Sequence, residues 1–122
     1  MTSQSPYSGI GFDEKITSTG VIDANQWHHI AAVNDNGQRR LYINGILQTM
    51  SGSALNVNSN SDPIKIGSDY ASRFFDGRID EVRIWNIARE QNDILSTMDS
   101  TLNGAEDGLV AYYNFNEGSG IV

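Results

Sequence analysis

The sequence predicts an all-β chain of antiparallel strands joined by tight turns, and three observations lead there. Twelve glycines and twelve asparagines stand against two prolines in 122 residues, punctuating short runs of branched and aromatic residues. Within those runs apolar and polar residues alternate with the period of two that turns one strand face to a core. Asn-Gly dipeptides separate consecutive runs, and they tolerate the positive φ that two-residue hairpin turns demand. The length suits one domain, and 39% hydrophobic with 9% aromatic residues can build a core without staples.

The clearest hairpin runs from Trp27 to Ile43. Its first strand alternates Trp27, His29, Ala31, Val33 against His28, Ile30, Ala32, Asn34; Asn36-Gly37 makes the turn and Arg39 to Ile43 the return. Asn44-Gly45 repeats the signal, so Ile46 to Met50 is expected as a third strand. Ser51 to Asp62, polar apart from Leu55 and Val57, reads as a surface excursion. Pro63 precedes a short strand, Ile64 to Gly67. The loop Ser68 to Gly77 then carries Asp69, Tyr70, Arg73, Phe74, Phe75 and Asp76, an aromatic content that marks it as the candidate binding loop. A strand from Arg78 to Trp85 places Ile79, Glu81, Arg83 and Trp85 on one face and Arg78, Asp80, Val82 and Ile84 on the other. Ile87, Ile94, Leu95 and Met98 form a helical stripe through Ala88 to Met98. After Gly104, Leu109 to Phe115 alternates as a last strand.

Composition excludes several function classes. Without cysteine there is no disulfide framework, thiolate zinc site or cysteine nucleophile. Fifteen acidic against eight basic residues leave a net charge of -7, the wrong sign for phosphate backbones and anionic lipid surfaces. No nucleic-acid partner is expected. Apolar stretches such as Leu109 to Tyr113 are too short to span a bilayer, and Met1 to Gly11 has neither the basic start nor the apolar core of an export signal.

Gln26-Trp27-His28-His29-Ile30-Ala31-Ala32-Val33 with Leu41-Tyr42-Ile43-Asn44-Gly45 resembles the central hairpin of laminin-G-like and pentraxin-like domains. Phe75-Asp76-Gly77-Arg78-Ile79-Asp80-Glu81-Val82-Arg83-Ile84-Trp85-Asn86 and its following helix resemble their most recognisable stretch, and Gly108 to Phe115 resembles the strand after it. The resemblance covers about Val21 to Gly120 and implies a concanavalin A-like antiparallel β-sandwich, or jelly roll, in one domain with one short helix. Glu90 stands where relatives carry a serine or threonine cap, and nothing in Met1 to Gly20 matches their first strands. The chain thus resembles the C-terminal part of such a domain. Missing strands leave open edges and an uncovered apolar face, so a homodimer or a rearranged sandwich is expected.

Glucanases share this architecture, yet the carboxylates are wrongly placed for glycoside hydrolysis. Asp80 and Glu81, like Asp13 and Glu14, are adjacent and so point to opposite strand faces. For the same reason His28 and His29 cannot chelate one metal and are expected to pack or hydrogen-bond locally, and neither offers a positioned base for a serine triad. Trp27 is either a sugar-stacking face or, at the start of a buried-looking strand, the expected core plug. Asp80, sharing a face with Val82 and Ile84, needs an arginine, backbone donors or a cation if that face is buried. Loop oxygens from Asp69 and Asp76, with Asn114, Asn116 and Glu117, could join it around calcium. In the pentraxin-like branch a calcium loop follows an isoleucine-glycine strand end, so the resemblance implies a ligand role for Asp69 after Ile66-Gly67.

The resulting expectation is a non-catalytic, extracellular or cell-surface binding module. Its glycan would meet Asp69, Tyr70, Arg73, Phe74 and Asp76, with calcium held by Asp69, Asp76 and Asp80. Phe74 and Phe75 serve either as sugar-stacking faces or as anchors of the loop to the core. The alternative is a protein-protein adhesion or spacer module that uses a sheet face or edge.

Overall fold

In the computed structural model, residues 17–18, 22–51, 60–69 and 71–118 are described. Their elements are β1 (Thr17–Ser18), β2 (Ile30–Asp35), β3 (Gln38–Ile43), β4 (Ile46–Leu47), β5 (Met50–Ser51), β6 (Val82–Trp85), α1 (Gln91–Thr97) and β7 (Leu109–Tyr113). The strands form three antiparallel sheets, β1-β5, β2-β3-β4 and β6-β7. This is the antiparallel β architecture with one short helix that the sequence predicts. Asp13, Glu14, Leu55, Val57 and Tyr70 lie outside the described residues.

Both Asn-Gly turns form where expected. Asn36 and Gly37 have φ 49° and 91°, Asn44 and Gly45 have φ 51° and 76°, and in each pair the left-handed backbone matches the twist of the flanking strands. The resulting register pairs Ile30 with Ile43 and Ala31 with Tyr42. One face of this sheet, with Ala31, Val33 and Tyr42, packs on Ile94 of α1. Val33, Tyr42, Ile43 and Ile94 are the buried large hydrophobic side chains among the described residues. Each contributes about 2 kcal/mol of transfer free energy.

The helix fastens two sheets together. Gln91 Nε2 donates to Gly45 O at 2.9 Å, and the Arg40 guanidinium reaches Glu90 Oε1 at 3.3 Å. At the other end Arg83, from β6, donates to Thr97 O at 2.7 Å and to Ser100 O, placing a cation at the negative end of the helix. Asp93 Oδ2 accepts from Glu90 N at 3.4 Å, so the helix start is closed from its third residue.

Several expected boundaries shift, each for a local reason. Ile46 to Met50 is not one strand: β4 stops at Leu47 and β5 pairs with β1 instead. Ile64 to Gly67 does not form a strand of any sheet among the described residues, and Ile64 is 75% exposed. The strand expected from Arg78 begins at Val82, because Glu81 sits at φ 54°, outside strand geometry. The last strand ends at Tyr113, before Phe115 at φ 48°. Trp27 is not a core plug: it precedes β2 and is 64% exposed. β3 ends at the Asn44 turn, where Asn44 Oδ1 accepts from His29 N at 2.9 Å and Asn44 N donates to His29 O at 2.8 Å, leaving Trp27 beyond the ladder.

Candidate functional site

The loop singled out by its aromatics is stapled by its own polar groups. Ser68 bridges Phe74, Phe75 N donates to Gly67 O at 2.8 Å, and Asp69 N donates to Arg73 O at 3.1 Å. Asp69 Oδ1 accepts from the backbone N–H of Arg73 at 3.0 Å and of Ala71 at 2.9 Å, while Oδ2 pairs with Arg73 Nε. These bonds, the Arg73 backbone N–H first among them, hold the Asp69 carboxyl below the usual aspartate range. Asp69 and Arg73 thus satisfy each other. An open, shallow depression of about 410 Å³ lies beside them, walled by Phe74, Phe75 and Ile79.

A larger and more enclosed cleft, about 700 Å³, lies between residues 22–27 and 75–78. Trp27 and Phe75 line it and remain 64% and 61% exposed, so Phe75, like the 78% exposed Phe74, does not anchor its loop to a core. Asp23, Asn25, Gln26, Asp76 and Arg78 complete the lining. Among the described residues, none of these five side chains has a protein partner. The first wall is shaped by Asn25 at φ 63°, a conformation asparagine adopts more readily than most residues. His28 closes that turn, with Nε2 at 3.0 Å from Asp23 O and Nδ1 at 3.4 Å from Asn44 Nδ2. The bond network assigns the proton to Nε2. On the second wall a Cβ at Gly77 would come within 2.7 Å of the Phe75 ring, so the absent side chain leaves room for that ring.

The five ligand residues expected from the sequence are therefore divided. Asp69, Arg73 and Phe74 border the shallow depression, Asp76 belongs to the larger cleft, and Tyr70 lies outside the described residues. Sequence reasoning missed Asp23, Asn25, Gln26 and Arg78 as a site, and it ranked a core role for Trp27 above sugar stacking. The available signal was the polar run Asp23-Ala24-Asn25-Gln26 immediately before a tryptophan.

The family model described as concanavalin A-like lectin/glucanases superfamily, of laminin G type, matches residues 4–95, about three quarters of the chain. The chain belongs to this laminin G-like family. Pappalysin-1 of Homo sapiens is 28% identical over 89 residues, covering 69% of this chain, and pappalysin-1 of Mus musculus is 28% identical over 80 residues, covering 62%. The laminin G-like chain spans about 5% of the length of these two curated relatives. No solved structure matches it significantly. The family match begins at residue 4, inside the stretch where the hairpin-based resemblance has no counterpart, and stops short of β7. Membership fits a binding-module role. No helix among the described residues is long and apolar enough to cross a membrane.

The laminin G-like domain does not bring the expected calcium ligands together. Among the described residues no three His, Cys, Asp or Glu side chains converge. Asp69 is held by Arg73, Asp76 faces the cleft, and Asp80 is exposed with Oδ1 accepting from Glu81 N at 2.8 Å. This donor set does not fit calcium. The sequence argument for a buried Asp80 assumed unbroken alternation, which the positive φ of Glu81 interrupts. Glu81 is the half-buried acid instead: its Oε2 accepts from Arg83 Nη2 at 2.9 Å and from the Tyr112 hydroxyl at 2.7 Å. Burial opposes ionisation of Glu81, but these two donors outweigh it and hold its carboxyl below the usual range. Burial, and then the bond to Glu81, push the Tyr112 hydroxyl up. Glu81 is therefore committed to structure.

Proposed function

We propose that this laminin G-like domain is a non-catalytic, extracellular glycan-binding module that holds sugar in the cleft between residues 22–27 and 75–78 without calcium. The observation that carries this reading is the pair of exposed aromatic rings, Trp27 and Phe75, in one cleft with five polar side chains that have no partner among the described residues. Aromatic faces take the apolar C–H faces of sugar rings, and free amides, acids and a guanidinium take the hydroxyls. The polar groups at Asp69 and Arg73 are already bonded to each other, which favours the cleft over the loop first suspected.

A glycan array compares the unmodified chain with Trp27→Ala and Asp69→Ala. Capture lost in Trp27→Ala and kept in Asp69→Ala supports the reading, whereas capture that survives Trp27→Ala overturns it. A second reading, a protein-adhesion module, draws on two exposed isoleucines of the β2-β3-β4 sheet: Ile30 is 46% and Ile46 64% exposed on either side of the buried Ile43. On that reading no glycan is captured, and Ile46→Lys abolishes partner binding.

A further inference from the structure

Phe75 lines both depressions, the cleft of about 700 Å³ and the shallow one of about 410 Å³. The two adjoin at this ring, Trp27 lining the cleft and Phe74 the shallow depression. We infer, resting on the glycan-binding reading above, that the site takes an uncharged oligosaccharide of several rings, with Phe75 stacking the ring at the junction. A single ligand typically fills about 300–1,000 Å³, and the cleft alone reaches the middle of that range, so one monosaccharide leaves most of the surface unused. Three exposed aromatic side chains shared between the two adjoining depressions suit a chain that presents one apolar ring face after another.

Charge selects against anionic chains. The ionisable groups of the cleft are Asp23, Asp76 and Arg78, and in the shallow depression Asp69 neutralises Arg73. Among the described residues the lining therefore carries one more negative than positive charge, on a chain whose net charge is -7. A sulfated or carboxylated polysaccharide meets repulsion both locally and at long range. Neutral hydroxylated chains meet none.

The test is isothermal titration of the full chain with gluco-, manno-, xylo- and N-acetylchito-oligosaccharides of one to six rings, beside a heparin hexasaccharide. In at least one neutral series affinity should rise tenfold or more between one ring and four. Phe75→Ala should return the longest member to the affinity of the shortest without moving the melting midpoint, since the ring is 61% exposed. Heparin should not bind. Equal affinity at every length, Phe75→Ala without effect, or heparin binding above every neutral series each overturns the inference while the cleft's glycan reading stands, provided Trp27→Ala still abolishes binding. Failure of every sugar, neutral and sulfated, overturns both.

Discussion

Asp69 Oδ1 takes two backbone N–H groups and Oδ2 takes a guanidinium, so three of the roughly four acceptor positions of this carboxylate are filled from within its own loop. A calcium ion there would have to displace Arg73. The melting midpoint should therefore be the same with calcium as with a chelator, and a calcium-dependent rise would show that the loop rearranges around the cation. His29 gives a pH dependence with a definite sign. Burial, and after it the nearby Arg83 charge, lower its pKa below 6.5, with Asp99 opposing. The folded state then binds fewer protons than the unfolded one, so His29 costs no stability above about pH 6.5 and destabilises progressively as the pH falls below it. A His29→Leu variant should flatten that part of the stability profile; an unchanged slope would place the titration elsewhere. At this scale the sequence was readable where a residue's chemistry dictates its own backbone, as at Asn36 and Asn44. It misled at Asp80, because a single left-handed residue, Glu81, reverses the facing that alternation assigns.

Among the elements, α1 has only seven residues and owes its place to its docking contacts. Gly45 is one of them: a Cβ there would overlap Leu95 Cδ2, at a φ of 76° that side chains resist. Gly45→Ala should cost roughly 1–3 kcal/mol in denaturant unfolding. Tyr112 is the second fastening, accepting from Leu102 N at 3.2 Å and donating to Glu81, which in turn holds Arg83 against the helix end. Removing its hydroxyl in Tyr112→Phe should cost about 1–2 kcal/mol, and a loss within experimental error would mean that water replaces the bond. Gly77→Ala separates stability from binding. The added methyl displaces the exposed Phe75 ring, so the midpoint should hold while glycan affinity falls. Strand cores and the helix were legible from period and turn chemistry. Strand ends were not, because they depend on where the partner strand turns away, as it does at Asn44 beside Trp27.

For the whole molecule, the apolar row Ile30–Ile43–Ile46 crosses all three strands of the central sheet, on the face opposite Ile94. Its outer members stay exposed while Ile43 between them is buried, although a sandwich of this family packs both inner faces. A second copy offers the same row, and a twofold arrangement would let one isoleucine face cover the other, as a self-complementary interface requires. The charge of -7 on each copy opposes this contact at low ionic strength, and salt screens that repulsion while leaving apolar burial intact or strengthened. Self-association should therefore increase with salt in sedimentation equilibrium, opposite to the trend of a charge-paired dimer. Ile46→Lys should remove it, because each subunit would bury an unpaired cation. Glycan affinity should be untouched by that variant, since Ile46 lies outside the cleft lined by Trp27 and Phe75. A chain that stays monomeric at high concentration in raised salt would rule out the twofold contact.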